Sequence, residues 1–263
     1  MFRATFPEAA PVPPQDLTAP CPGNLSRARV VSVTRLSPSY SRVTVAGPDL
    51  ARFASGGLHF RLLLGPEGAG WPQAGAGGAL HWPGGAKAWH RPVYTCRSLT
   101  GTETGAGAEL SFDVFRHDGG RITAWCDRLT PGAEVALTGP GGGGLPPARG
   151  WVGLVGDETA LPVMARILAA LPPATRGHAV LFVPEPADRQ DIPHPPGVRL
   201  DWVLRGQSGD SPLDRLATLA WPDADRYVVF AGEQAQAVQA RAWLPRQGLG
   251  KAEFVSAAYW TAA

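Results

Sequence analysis

A run of nine residues, Gly139-Pro140-Gly141-Gly142-Gly143-Gly144-Leu145-Pro146-Pro147, divides this chain of 263 residues into two halves with different rhythms. Its glycine and proline content predicts a hinge without regular structure. Upstream, short runs rich in valine and threonine predict six strands, at 28–36, 40–47, 59–64, 93–99, 109–117 and 134–138. One helix interrupts them over Arg121–Leu129, where Ile122, Trp125, Cys126 and Leu129 fall at i, i+3, i+4 and i+7. Downstream, strands at 151–155, 178–183, 198–204, 227–231 and 253–258 alternate with helices at 160–171, 213–219 and 235–244. The expectation is a two-domain β plus α/β chain: an N-terminal extension over 1–26, an antiparallel six-stranded barrel over 27–144, and a parallel α/β domain over 145–263.

Composition removes several classes of function. Lys and Arg number 24 against 22 Asp and Glu, so a net charge of +2 calls for neither a nucleic acid nor an anionic membrane. Cys21, Cys96 and Cys126 lie far apart with no CxxC, which rules out a disulfide framework and argues against zinc or iron–sulfur. Met1–Pro20 lacks the apolar core of a signal peptide, and no apolar run approaches the ~18 residues that span a bilayer, so a cytoplasmic protein without membrane insertion is expected. The histidines show no ligand spacing, so no metal site is expected, and the absence of GxSxG leaves a serine hydrolase without a basis. Residues 65–90, rich in Gly, Trp and Pro, show no periodicity; such a stretch is either functional or mobile.

Four segments bear on chemistry. Gly139, Gly141 and Gly144 match GxGxxG, but a strand follows instead of the helix a pyrophosphate needs, so this is a linker. Gly156-Asp157-Glu158-Thr159-Ala160-Leu161-Pro162 leaves a strand and enters a helix, where open α/β sheets bind ligands. Its two carboxylates disfavour a phosphate there, and Asp157 or Thr159 also suits a helix N-cap. In Arg91-Pro92-Val93-Tyr94-Thr95-Cys96-Arg97-Ser98, a strand puts Thr95 and Arg97 on one face and Tyr94 on the other. The segment is then either a site for a ring and a phosphate or an ordinary edge strand. His117-Asp118-Gly119-Gly120-Arg121-Ile122-Thr123-Ala124-Trp125 ends a strand, turns on glycine and starts a helix with no carboxylate after the turn. It is either a diphosphate seat or a hairpin-like connection with Trp125 in the core.

The last three of these segments, with Val43–Leu50, His59, Pro131-Gly132, Ala231-Gly232-Glu233 and Tyr259-Trp260, occur in an order that resembles the siderophore-interacting proteins, flavin-dependent ferric-siderophore reductases of the ferredoxin-reductase-like superfamily. The likeness runs from about Arg27 to Trp260. It implies FAD in the barrel, with Tyr94 and Thr95 at the flavin ring and ribityl chain, Arg97 near the diphosphate, and His117, Gly119, Gly120 and Thr123 around it. It also implies Trp260 near the flavin and NAD(P)H at Gly156, Asp157, Glu158, Thr159, Ala160 and Glu233. Three departures stand out: Pro92 occupies the place of the family's usual arginine, with Arg91 one position back; the chain ends Thr261-Ala262-Ala263 where the family has arginine; and Lys87 and Lys251 are the only lysines.

The resulting expectation is a reductase that passes electrons from NAD(P)H, or a ferredoxin donor, through FAD to a ferric siderophore, with no catalytic acid–base residue. Lys87 and Arg116 are the candidates for steering an anionic chelate. The competing readings are a flavin reductase of the same fold with another acceptor, and a module that binds flavin or siderophore without turnover.

Overall fold

The computed structural model describes residues 23–75, 79–102, 107–207 and 209–262; most of the expected N-terminal extension, with Cys21, lies outside them. The first half comprises β1 (Leu25–Ser37), β2 (Tyr40–Gly47), β3 (His59–Leu63), β4 (Gln73–Ala74), β5 (Leu80–His81), β6 (Val93–Thr95), β7 (Ser98–Thr100), β8 (Ala108–Phe115), α1 (Arg121–Arg128) and β9 (Glu134–Gly141). In β2, Val43 and Val45 point inward between half-buried Arg42 and Thr44, the period of two that a one-sided sheet imposes.

Seven of these strands form one antiparallel sheet, in the order β6-β3-β9-β1-β2-β8-β7. Its two edge strands, β6 and β7, are joined by only two residues, so the sheet curls to bring its edges near each other. The corner is tied to both sides: Cys96 N–H donates to the Leu58 carbonyl (2.9 Å) and Arg97 N–H to that of Ser111 (2.8 Å). The antiparallel expectation holds with seven strands instead of six, in a curled sheet whose edges do not pair, and the strand expected at 93–99 is broken where the chain crosses from edge to edge. Inside lie Phe53, Phe60, Leu62, Leu110, Phe112 and Leu137, all essentially inaccessible to solvent.

Two expectations are corrected. The Gly/Pro run is not free of regular structure, because β9 extends through Gly139–Gly141 and pairs Gly141 with His59. Strand β1 begins at Leu25, inside the segment assigned to the extension, because Leu25 pairs with Thr138. Within the 65–90 stretch, Trp89 is buried against Trp71 and Trp82 (ring centroids 6.1 and 5.5 Å), and its Nε1 donates to the Pro83 carbonyl (2.9 Å).

The second half comprises β10 (Trp151–Gly156), α2 (Leu161–Ala170), β11 (Arg176–Val183), β12 (Gly197–Leu204), α3 (Pro212–Ala217), β13 (Arg226–Glu233), α4 (Gln234–Trp243) and β14 (Phe254–Trp260). Its sheet is parallel, in the order β12-β11-β10-β13-β14. Helix α2 covers one face; α3 and α4 cover the other. Strand β10 is therefore a continuous apolar run, as a two-sided strand requires. Leu168 of α2 is fully buried, and truncating such a leucine to alanine costs ~2–5 kcal/mol.

The halves are closely joined. Tyr40 of β2 is wholly buried beside Leu161 and Val183, and its hydroxyl donates to the Glu158 carbonyl (2.7 Å). Buried Asp188 accepts from Ser37 Oγ (2.6 Å) and Ser39 N–H (2.9 Å) in the β1–β2 turn. Arg166 of α2 reaches across to the Cys96 carbonyl.

Candidate cofactor and donor site

Strand β8 leads through His117–Gly120 into α1. Gly119 has φ +72°, a left-handed value suited to glycine. A Cβ on Gly120 would lie 2.9 Å from His117 Nε2 and 3.0 Å from Thr123 Oγ1, so a side chain there would crowd both groups and displace the exposed His117 ring. Thr123 Oγ1 accepts from the His117 N–H (3.2 Å), which leaves the hydroxyl proton available for donation. No side chain caps α1 and no acidic residue occupies its first turn. The result is a set of donors at the positive end of a helix.

Tyr94 packs its ring against Phe60 and Phe112 (centroids 6.3 and 5.3 Å), and burial, then the nearby Cys126 of α1, push its hydroxyl pKa up. Burial likewise raises Cys126, to about 11. Thr95 is buried and bonds through its side chain to Tyr259 of β14. Arg97 turns to the barrel corner, where its Nε lies 3.9 Å from buried Asp113, a carboxylate already held by Arg42 at 2.7 and 2.9 Å. Arg97 Nε makes no hydrogen bond, and burial lowers the guanidinium pKa against the opposing pull of Asp113. Asp113 is the counter-charge of this buried cation, at ion-pair but not hydrogen-bond distance. The expected shared face of Thr95 and Arg97 is not a strand alternation, because β6 ends at Thr95. Arg91 stacks its guanidinium 4.9 Å above the Trp82 ring.

The second cluster lies at the C-terminal ends of β10 and β13, where the strand order reverses. Asp157 is almost inaccessible. Its Oδ1 accepts from Thr159 N–H (2.9 Å), Thr159 Oγ1 (2.6 Å) and Ala160 N–H (3.3 Å), while Oδ2 accepts from Trp260 Nε1 (2.7 Å). It binds the turn before α2, whose N-cap is Ala160. The Glu158 carboxylate pairs with Arg205 (2.6 Å); burial raises its pKa and Arg205 pulls the other way. Both carboxylates are thus engaged inside the protein. Glu233 is the N-cap of α4, accepting from Gln236 N–H (3.0 Å).

The end of β14 joins the two clusters. Tyr259 bonds to His59 Nε2 (2.7 Å) and Thr95 on the barrel side, and its neighbour Trp260 bonds to Asp157 on the α/β side. Burial, then Arg166, lower the His59 pKa. Of the two steering candidates, Lys87 is exposed, whereas Arg116 is paired with Asp127 (2.5 Å) and bonds to Ser41 Oγ (3.3 Å). The sequence reading assigned no role to His59, Arg42, Asp113, Arg166 or Arg205. Only Arg166 carried a signal, as the lone charge in LPVMARILAA. Among the described residues no group of three or more His, Cys, Asp or Glu is placed to hold a metal, and no helix is long and apolar enough to cross a membrane.

A curled antiparallel sheet followed by a parallel α/β sheet, with an open helix start on the first and a strand-order switch on the second, defines a two-domain protein of the ferredoxin-reductase type. Within that class the chain belongs to the siderophore-interacting protein family: residues 29–144 match the siderophore-interacting FAD-binding domain and residues 149–263 the siderophore-interacting protein model. An uncharacterized protein of Mycobacterium tuberculosis is 36% identical over 156 residues, 54% of this chain and 55% of its own, so the match spans about half of that relative. The ferric vibriobactin reductase ViuB of Vibrio cholerae is 27% identical over 240 residues, 86% of this chain and 85% of its own. The NADPH-dependent ferric-chelate reductase of Escherichia coli is 26% identical over 211 residues, 78% and 80%. The crystal structure of the siderophore-interacting protein SipS from Aeromonas hydrophila superposes with a TM-score of 0.74 at 25% identity, covering 92% of this chain and all of that one.

Proposed function

We propose that the chain is an FAD-dependent reductase that takes electrons from NADPH or NADH and delivers them to a ferric siderophore, with the domain divisions expected from the sequence except that the barrel begins at Leu25. The observation that carries the reading is the open start of α1, where Gly119, Gly120, the Thr123 hydroxyl and uncapped backbone donors converge with no acidic residue in the first turn of the helix. Arg97, buried with an unused Nε, supports a second contact to the cofactor. The FAD-binding family match over residues 29–144 and the names of the Vibrio and Escherichia relatives point the same way.

Bound there, FAD supplies the step that accepts a two-electron hydride and releases electrons singly. The protein's own residues do the positioning. Tyr94 and Thr95 would hold the ring, and His117–Thr123 the diphosphate. Gly156–Ala160 and Glu233 would receive the nicotinamide half at the strand switch, with Trp260 between the two sites. The carboxylates of Asp157 and Glu158 are compensated by Trp260, the α2 turn and Arg205, which reduces their repulsion of a donor's phosphates. The ferric chelate is substrate. Hard oxygen ligands hold Fe(III) far better than Fe(II), so reduction alone loosens the metal and no protein acid is needed at the iron. A nicotinamide donor also suits a cytoplasmic location.

The test is anaerobic. The purified protein is reduced with NADPH, NADH or a reduced ferredoxin in turn, then mixed with a panel of ferric chelates. Flavin bleaching by at least one donor and its return with ferric siderophore, with Fe(II) trapped, is expected. Protein without flavin would overturn the reading. Reduced flavin that ferric chelates leave unoxidised but a quinone reoxidises would favour the other-acceptor reading.

A further inference from the structure

The end of β14 completes a row of hydrogen bonds to which the function above assigns no role. His59 and Thr95 are partners across the β3–β6 ladder, so their side chains leave the same face of the sheet. Tyr259 bonds to both. Its hydroxyl lies 2.7 Å from His59 Nε2, with the two rings edge to face at 81°, and it shares a side-chain hydrogen bond with Thr95. The order Thr95–Tyr259–His59 runs outward, from a buried hydroxyl to a half-buried phenol and a half-buried imidazole.

Each link can point either way, because a hydroxyl both donates and accepts and a neutral imidazole carries its proton on either nitrogen. With the proton on Nε2, His59 donates to Tyr259 and Tyr259 to Thr95, which leaves the Thr95 proton for an outside acceptor. With the proton on Nδ1, Nε2 accepts from Tyr259 and Tyr259 from Thr95, which leaves the Thr95 oxygen to accept. The surroundings keep the row neutral in both orders. Burial, then Arg166 of α2, lower the His59 pKa; burial holds the Tyr259 phenol protonated, with Thr95 pulling the other way and Asp157 adding to the rise. Gly142, just past β9, packs against His59 Nδ1, where a Cβ would come within 2.8 Å.

We propose that Thr95, Tyr259 and His59 form a reversible proton relay that serves the flavin ring in both of its redox states. The inference rests on the flavin reading above, which sets Thr95 against the ring; Tyr259 and His59 act through it. An oxidised flavin has bare ring nitrogens that accept, and a reduced one has N–H groups that donate, so a fixed hydroxyl proton suits only one of them. The relay also closes the proton balance. A hydride brings two electrons and one proton; two Fe(III) chelates take the electrons singly, and the proton remains. It passes to the Thr95 oxygen as the Thr95 proton moves to Tyr259 and the Tyr259 proton to His59 Nε2, and the imidazolium releases its Nδ1 proton to water. That transfer leaves the row in the order that suits the oxidised ring.

The test follows the His59 imidazole nitrogens by nuclear magnetic resonance in FAD-loaded protein, oxidised and then reduced with dithionite. Nε2–H is expected in the first state and Nδ1–H in the second. In Tyr259→Phe, which removes the link and keeps the ring, His59 should give the same spectrum in both states. A second measurement mixes reduced protein with ferricyanide, a one-electron Fe(III) complex, in light and heavy water. One phase of reoxidation should carry a solvent isotope effect in the wild type. That phase should slow at least roughly tenfold in Tyr259→Phe and in His59→Gln, which keeps a hydrogen-bonding group but takes no proton. FAD affinity within about twofold of wild type reports an intact ring site in both variants. A bond that only pins β14 to the barrel would leave the His59 tautomer indifferent to the flavin's state. That result, or wild-type reoxidation rates in both variants, would overturn the proposal. Protein that binds no flavin would remove the flavin reading itself, and the relay with it.

Discussion

Each half of this molecule has a strand–turn–helix corner, and the two end in opposite states. At β8–α1 the turn carries glycine, the helix has no side-chain cap, and the nearby hydroxyl of Thr123 retains its proton. At β10–α2 the chain supplies its own anion, since the Asp157 carboxylate occupies the donors of Thr159 and Ala160 and takes the Trp260 indole besides. Both corners have the geometry that binds phosphates. A helix start without an internal carboxylate suits an anion better, so under the proposed function the cofactor diphosphate would sit at α1 and α2 would be left to the donor.

The comparison breaks most readily at Gly120. Valine there meets His117 and Thr123 and is expected to weaken FAD binding by about 100-fold, the upper end of the ~1–3 kcal/mol that overpacking costs, with far-UV circular dichroism unchanged. Unaltered FAD affinity would move the diphosphate elsewhere. The opposite corner should answer in stability instead. Asp157→Ala strands the donors of Thr159, Ala160 and Trp260, and urea unfolding should register a loss of about 2–3 kcal/mol. A loss below about 0.5 kcal/mol would mean those hydrogen bonds contribute little.

A smaller effect is expected at the His59–Tyr259 link. The folded state lowers the His59 pKa, so its contribution is complete above the ordinary value of 6.5 and is lost as pH falls through 6.5 toward the folded value. Unfolding stability should therefore drop on acidification over that window, and less in His59→Gln. Equal pH dependence in both proteins would exclude His59 as the source. The smallest effect concerns steering. Neutralising Lys87 and Arg116 should flatten the salt dependence of reoxidation by an anionic chelate, since exposed charges are screened over ~8–10 Å. With Arg116 already paired to Asp127, most of the change should come from Lys87, and a salt dependence that survives the double variant would discard both.

Much of the fold was legible because local patterns set it. Strand β2 occupies the 40–47 span that its alternation predicts, and β10 is readable as a two-sided apolar run. What escaped depends on partners distant in sequence. Leu25 is a strand residue only because Thr138 lies beside it, and Gly139–Gly141 enters a strand only because β3 offers an edge. The break at Cys96-Arg97 follows from the curling of the sheet, which no local pattern encodes. The same holds at the site. The glycine turn before α1 could be read directly, whereas the bonds from Tyr259 to His59 and from Trp260 to Asp157 join residues 200 and 103 positions apart. The three tryptophans of the 65–90 segment were visible as composition, but the packing of Trp71 and Trp82 against Trp89 was not.

The most direct test of the contrast between the two corners is an FAD titration of apoprotein carrying Thr123→Ala, set against Thr159→Ala. Each substitution removes one hydroxyl from an equivalent corner, Thr123 beside the open helix start and Thr159 within the Asp157 network. The account predicts that Thr123→Ala weakens FAD by roughly 10- to 100-fold, the ~1.5–3 kcal/mol of a hydrogen bond to a charged group, and that Thr159→Ala leaves it within about twofold. Unchanged FAD affinity in Thr123→Ala, or an equal loss in Thr159→Ala, would contradict it.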